Sequence, residues 1–124
     1  MSDCGVCVGA FDGEPSEFVD QRIVAKARKP HRCSECNGVI EVGKSYHVAS
    51  GKGDGEFWSF KTCMICREIR AAFSCEGETF GGIFWEEMEY CFEALNTSCF
   101  DKLTTPEAKA ELQRRWMKWK GLAA

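Results

Sequence analysis

The chain has 124 residues, the size of one domain, and its 44% hydrophobic and 28% charged content is ordinary for a soluble globular protein. No apolar run reaches the ~20 residues of a membrane span, and Met1-Ser2-Asp3-Cys4 lacks the opening of a secretory signal, which predicts a cytoplasmic location. A formal charge of -3 gives no global attraction to nucleic acid, so phosphate contact needs a local basic patch.

Residues 1–17 are rich in Gly, Asp and Glu and read as irregular backbone, tethered only if Cys4 and Cys7 bind something. From Gln21 to Arg28 apolar and basic residues alternate, which predicts a strand with Ile23, Ala25 and Ala27 inward that ends at Pro30. Cys33-Ser34-Glu35-Cys36-Asn37-Gly38 is a tight turn carrying two thiols, where Gly38 can supply positive φ. Lys44 to Ser50 and Glu56 to Thr62 form a hairpin around the Gly51–Gly55 loop. At Cys63 the period becomes helical: Ile65, Ile69, Ala72 and Phe73 share a face, with Arg67 and Arg70 outside. A second helix is predicted from Ile83 to Leu95, with Phe84, Met88, Cys91, Phe92 and Leu95 against an acidic face. Thr105-Pro106-Glu107 starts the last helix, whose stripe is Leu112, Trp116 and Trp119.

A reducing compartment turns the nine cysteines toward metal or redox chemistry rather than disulfides. Two residues between cysteines let both sulfurs of a turn reach one ion, and Zn²⁺ favours four tetrahedral thiolates. Cys33 and Cys36 sit on a turn; Cys63 and Cys66 sit on a first helical turn, whose free N–H groups favour thiolate. A knuckle, a hairpin and a helix around one Zn²⁺ predict an α+β, treble-clef-like domain over 18–75, followed by packed helices over 76–124. Cys4, Cys7, Cys75 and Cys99 have the number of thiols for a second zinc site; each packed separately is the alternative. Cys91, on an apolar stripe, reads as a small buried hydrophobe. His31 and His47 share no metal spacing with another ligand and read as structural or surface residues.

Four readings point elsewhere and are rejected on context. Gly38–Ser45 matches the letters of a phosphate-binding loop, but it follows a knuckle and enters a strand instead of a helix, so no nucleotide is expected. A thioredoxin-like Cys63/Cys66 pair needs a βαβ setting, and an HNH-type nuclease needs more than His47 and an open metal position. Asn96-Thr97-Ser98 matches a glycosylation acceptor without a secretory signal to give it meaning. Two basic regions keep nucleic-acid binding open: Arg28, Lys29 and Arg32 before the knuckle, and Arg114, Arg115 and Lys118 on the tryptophan-bearing last helix. The plainer reading of that helix is docked tryptophans under a solvated cationic face.

The run Arg28 to Cys36, then Ile40, Gly43, Tyr46, the Gly51–Gly55 loop and Phe60 to Arg70, resembles a family of small, uncharacterised, cysteine-rich proteins of bacteriophages and prophages. The similarity continues through Phe73-Ser74-Cys75, Trp85-Glu86-Glu87 and Ser98-Cys99 to Pro106, most of the chain. Closely spaced N-terminal cysteines of that family map onto Cys4 and Cys7, although family members often place them closer together. Cys91 is outside its pattern. The resemblance implies a virus-encoded accessory protein that binds a host factor or a nucleic-acid machine, and supplies no activity. The expected function is therefore non-enzymatic binding of a host or phage protein, with nucleic-acid binding and thiol-disulfide exchange as alternatives.

Overall fold

The computed structural model describes residues 4–8, 18–53, 55–74 and 84–121. Strands β1 (Phe18–Val24), β4 (Tyr46–Gly53) and β5 (Glu56–Cys63) form an antiparallel sheet in the order β1-β4-β5, while β2 (His31–Arg32) and β3 (Val39–Ile40) make a small ladder between them in sequence. Helix α1 (Met64–Phe73) leaves β5 directly; α2 (Phe84–Tyr90), 3-10 turns at Phe92–Ala94 and Thr97–Lys102, and α3 (Pro106–Lys120) follow. The architecture is mixed α+β with small sheets.

The hairpin is longer than its sequence suggests, because the glycine stretch continues the ladder: Gly51 pairs with Trp58 and Gly53 with Glu56. Gly55, at φ 77°, takes the left-handed conformation that a glycine adopts without steric cost. Strand β1 starts earlier than expected and stops at Val24. Beyond it the chain is held by separate bonds: the Ser45 hydroxyl donates to the Ala25 carbonyl, and the Ala27 N–H to the Lys44 carbonyl. Of the expected inward face only Ala27 is buried; Ile23 lies 51% exposed on the edge strand.

Helix α1 buries Ile69 and Phe73 against Phe84 and Met88 of α2, Phe92, and Leu112 of α3. Its predicted solvent-side Arg70 is instead wholly buried. The second predicted helix breaks after Tyr90 into a turn and a 3-10 turn, so Met88, Phe92 and Leu95 still reach the core. Helix α3 begins as expected: the Thr105 hydroxyl accepts from the Ala108 N–H, with Pro106 next. A second tie comes from α1, where the Glu68 carboxylate accepts from the N–H groups of Thr104 and Thr105 at 2.6 and 3.2 Å. Among the described residues, no helix is long and apolar enough to cross a membrane.

Candidate metal centre

Cys33, Cys36, Cys63 and Cys66 converge, with one sulfur of each within 4.8 Å of the others. The first two sit on the turn between β2 and β3; Cys63 closes β5 and caps α1, and Cys66 lies in that helix's first turn. The same local device operates in both halves. The Cys36 N–H donates to the Cys33 sulfur and the Cys66 N–H to the Cys63 sulfur, each at 3.5 Å, while the Gly38 N–H donates to Cys36 Sγ at 3.4 Å. The left-handed residue of the knuckle is Asn37 (φ 60°) and not Gly38. Asparagine tolerates that conformation, and Gly38 matters for space, since an added Cβ would meet Cys36 Sγ at 3.3 Å.

Register joins the halves. Tyr46 opposite Cys63 fixes the hairpin, and the Ser34 N–H and hydroxyl both donate to the Lys61 carbonyl, holding the knuckle against β5. Tetrahedral coordination with metal–sulfur bonds of ~2.3 Å places sulfurs roughly 3.8 Å apart; Cys36 Sγ and Cys63 Sγ are 4.0 Å apart. Cys33 and Cys66 are buried and the other two half-buried. The thiols titrate against one another. Hydrogen bonds from Cys36, then Cys63 and Cys66, pull Cys33 far below the ordinary thiol range, and bonding to Cys33, Cys36 and Cys63 pushes Cys66 far above it. Four thiolates this close are stable together only around a cation, so the donor set fits a divalent metal.

A buried polar network stands behind the sulfurs. Glu35, between the two knuckle ligands, receives the Arg70 guanidinium at 2.8 Å, with both side chains fully buried. Its other oxygen accepts from the Phe84 N–H at 3.1 Å, where α2 begins. Arg70 also donates to Thr62 Oγ1 at 3.0 Å and to His47 Nδ1 at 3.2 Å. His47 Nδ1 therefore accepts, which leaves Nε2–H to donate to Gln21 Oε1 at 3.0 Å. The Trp85 indole N–H points at Cys66 Sγ at 3.4 Å. Glu35, Arg70 and Trp85 thus orient the ligands, a role that sequence spacing does not reveal. His31 is not a ligand either; it packs on Tyr46 with ring centroids 5.1 Å apart.

No family model, curated protein or solved structure matches the chain.

The remaining cysteines behave differently from the second zinc site expected at Cys4, Cys7, Cys75 and Cys99. Cys4 and Cys99 converge, but as a disulfide with Cα atoms 4.9 Å apart, and Cys7 is also disulfide-bonded. A sulfur in such a bond is not a thiolate ligand. Cys75 lies outside the described residues. Val6 and Val8 bury, and the Val8 N–H donates to the Phe73 carbonyl at 2.8 Å, which lays this segment along the core. Cys91 is free and half-buried.

The Gly38–Ser45 segment turns at Gly43 (φ 88°) and runs into β4, so it has no helix to cradle phosphate. The Asn96 side chain accepts from the Ser98 N–H and caps the 3-10 turn Thr97–Lys102. The two candidate basic regions also diverge. Arg114 and Arg115 both pair with Glu111, at 2.7 and 2.6 Å, and the Arg115 guanidinium lies 3.9 Å from the Trp85 ring centre. Lys118 is exposed, and Arg32 donates to the Asn37 carbonyl. Arg28 and Lys29 are exposed beside β1.

Proposed function

We propose that this protein is a non-enzymatic binding module whose treble-clef-like core is organised by one Zn²⁺ on Cys33, Cys36, Cys63 and Cys66, and that it serves as an accessory protein acting on a host or phage macromolecule. The convergence of four separate thiols from a turn and a helix start carries the reading. Four cysteines satisfy zinc's preferred number and leave no position for substrate or an activated water, which suits a structural centre. The helix start supports metal more than redox exchange, because all four thiols face one point instead of forming one exposed pair.

Metal analysis of protein purified under reducing conditions is the test, with circular dichroism before and after a strong chelator. About one zinc per chain and loss of the fold on chelation are expected, since metal affinity is part of such a domain's folding free energy. Metal-free protein that stays fully folded and interconverts between thiol and disulfide at Cys63 and Cys66 would sink the reading in favour of redox chemistry.

A further inference from the structure

A groove of about 710 Å³ runs between the end of β1 and the strand that enters the knuckle. Alternation along β1 brings Arg22 and Val24 to one side, opposite Val48 and Tyr46 in register, and Lys26 continues the series past the strand. The i, i+2 repeat of an extended chain is about 6.8 Å. Arg28 and Lys29 close the far wall, and His31 packed on Tyr46 makes the floor. All four cations are exposed, and among the described residues none has a carboxylate partner. Among the described residues, no Asp or Glu lines the groove. Exposed acidic side chains lie at Asp20, two residues before Arg22 on β1, and farther away at Glu86, Glu87 and Glu89 on α2 and at Glu93. A chain of net charge -3 therefore gathers in one concavity four cations that have no carboxylate partner among the described residues. The His31 ring, packed on Tyr46, offers a flat face to the groove.

We propose that this groove binds the backbone of single-stranded nucleic acid, with Arg22, Lys26, Arg28 and Lys29 on successive phosphates and a base against the His31 ring. Three features select that occupant. Four cations gathered along one concavity, Arg22 on β1 and Lys26, Arg28 and Lys29 on the bends beyond it, suit a polyanionic chain; a concave site suits a single strand more than a duplex, whose grooves receive projecting elements; and the aromatic floor offers a surface for stacking. On the C-terminal helix, by contrast, Arg114 and Arg115 are both tied to Glu111. This rests on the zinc-stabilised binding module proposed above and names its partner.

The experiment is fluorescence anisotropy of zinc-loaded protein with a labelled 15-nucleotide oligothymidine, in salt from 50 to 300 mM, as an order-of-magnitude range around physiological ionic strength. The expected result is salt-sensitive binding, weakened roughly tenfold or more by R28A/K29A and further by R22A/K26A, with the salt slope falling by about 0.7 for each phosphate no longer neutralised. K118A is expected to change nothing. Zinc content and circular dichroism of each variant establish that the scaffold survives, so failure of the groove is distinguishable from failure of the metal reading. Absence of binding at low salt by folded, zinc-loaded protein overturns the proposal. So does binding that R28A/K29A leaves intact, tighter binding of the matching duplex, or equal displacement by polyglutamate, which would assign the groove to an acidic protein segment.

Discussion

Around Cys33, Cys36, Cys63 and Cys66 four separate thiols meet between a turn and a helix start, whereas at Cys4 and Cys99 one covalent bond clips the first described segment to the 3-10 turn before α3. Preparation differs as much as chemistry. In the first region each Cys-x-x-Cys unit shapes its own N–H···S contact, and a hairpin in fixed register brings the units together. In the second, residues 95 apart meet, and a backbone hydrogen bond from the Val8 N–H to the Phe73 carbonyl helps to place the segment. On the metal reading proposed above, the first region would organise the core, whereas the second fastens the N-terminal segment to it by a disulfide. Sulfur count alone does not distinguish an organising centre from a clamp; the backbone around the sulfurs does.

The largest expected effect follows from removing a metal ligand. Cys66→Ser deletes a buried sulfur that also receives the Trp85 indole, and the variant is expected to retain no zinc and no cooperative thermal transition, seen by calorimetry and metal analysis. Structural zinc contributes on the order of 10 kcal/mol of apparent binding energy in small domains, more than a domain's usual net stability. A folded, zinc-free Cys66→Ser protein would erase the difference between the two regions.

Next comes the pair behind the sulfurs. Glu35→Gln leaves the Arg70 guanidinium buried without its carboxylate, which is expected to lower urea-unfolding stability by about 3 to 5 kcal/mol. Replacing both, with Glu35→Leu and Arg70→Met, is expected to cost much less than Glu35→Gln, since no buried charge remains. Equal losses would mean that the pair holds the knuckle by shape and not by charge.

Reduction of Cys4–Cys99, or Cys99→Ser, is expected to be milder: about 2 to 4 kcal/mol of stability, below the chain-entropy figure of roughly 4.7 for a loop of this length. Zinc on the other four cysteines should persist. If reduction by a dithiol instead raised zinc uptake to two per chain, the N-terminal sulfurs would be ligands in the reduced state, and the clamp would become a second organising centre.

Much of the organising centre was legible because its signals are local. Cys-x-x-Cys spacing, the helical period from Cys63, and Thr105-Pro106 each depend on a few neighbouring residues, and each element formed where it was expected. The surroundings were not legible, because they depend on which distant groups meet. Arg70 sits at a position that helical periodicity assigns to solvent; the Glu35 carboxylate, 35 residues away, with Thr62 and His47 makes its burial tolerable. Ile23 looked like core and became an exposed edge. Cys4 and Cys99, expected to share a zinc, meet as a disulfide, and spacing does not say whether two thiols share a metal or each other. The basic residues were visible too, but not that Glu111 engages Arg114 and Arg115 while Arg28 and Lys29 have no carboxylate partner among the described residues.

The smallest expected effect tests whether sulfur chemistry alone ties α1 to its neighbours. Glu68, on the helix that carries Cys66, accepts hydrogen bonds from Thr104 and Thr105. Its partial burial raises the carboxyl pKa, but the bonds from Thr105 and Thr104 outweigh this and hold it below the usual carboxylate range. A folded-state value below the unfolded one contributes stability that is fully present above the unfolded value, about 4.3, and lost as pH falls through the folded value. Glu68→Gln is therefore expected to cost about 1 kcal/mol at pH 7, a figure discounted for solvent exposure, with the same loss at pH 6. Thiolate ligands take up protons and release metal at higher pH than a carboxylate in this environment titrates. The acid-unfolding midpoint of Glu68→Gln should therefore match the parent's, because the sulfurs let go first. A midpoint shifted upward by half a pH unit or more, on the order of 0.7 kcal/mol for one proton, would mean that the Glu68 tie to α3, and not the metal centre, sets the acid limit of the fold.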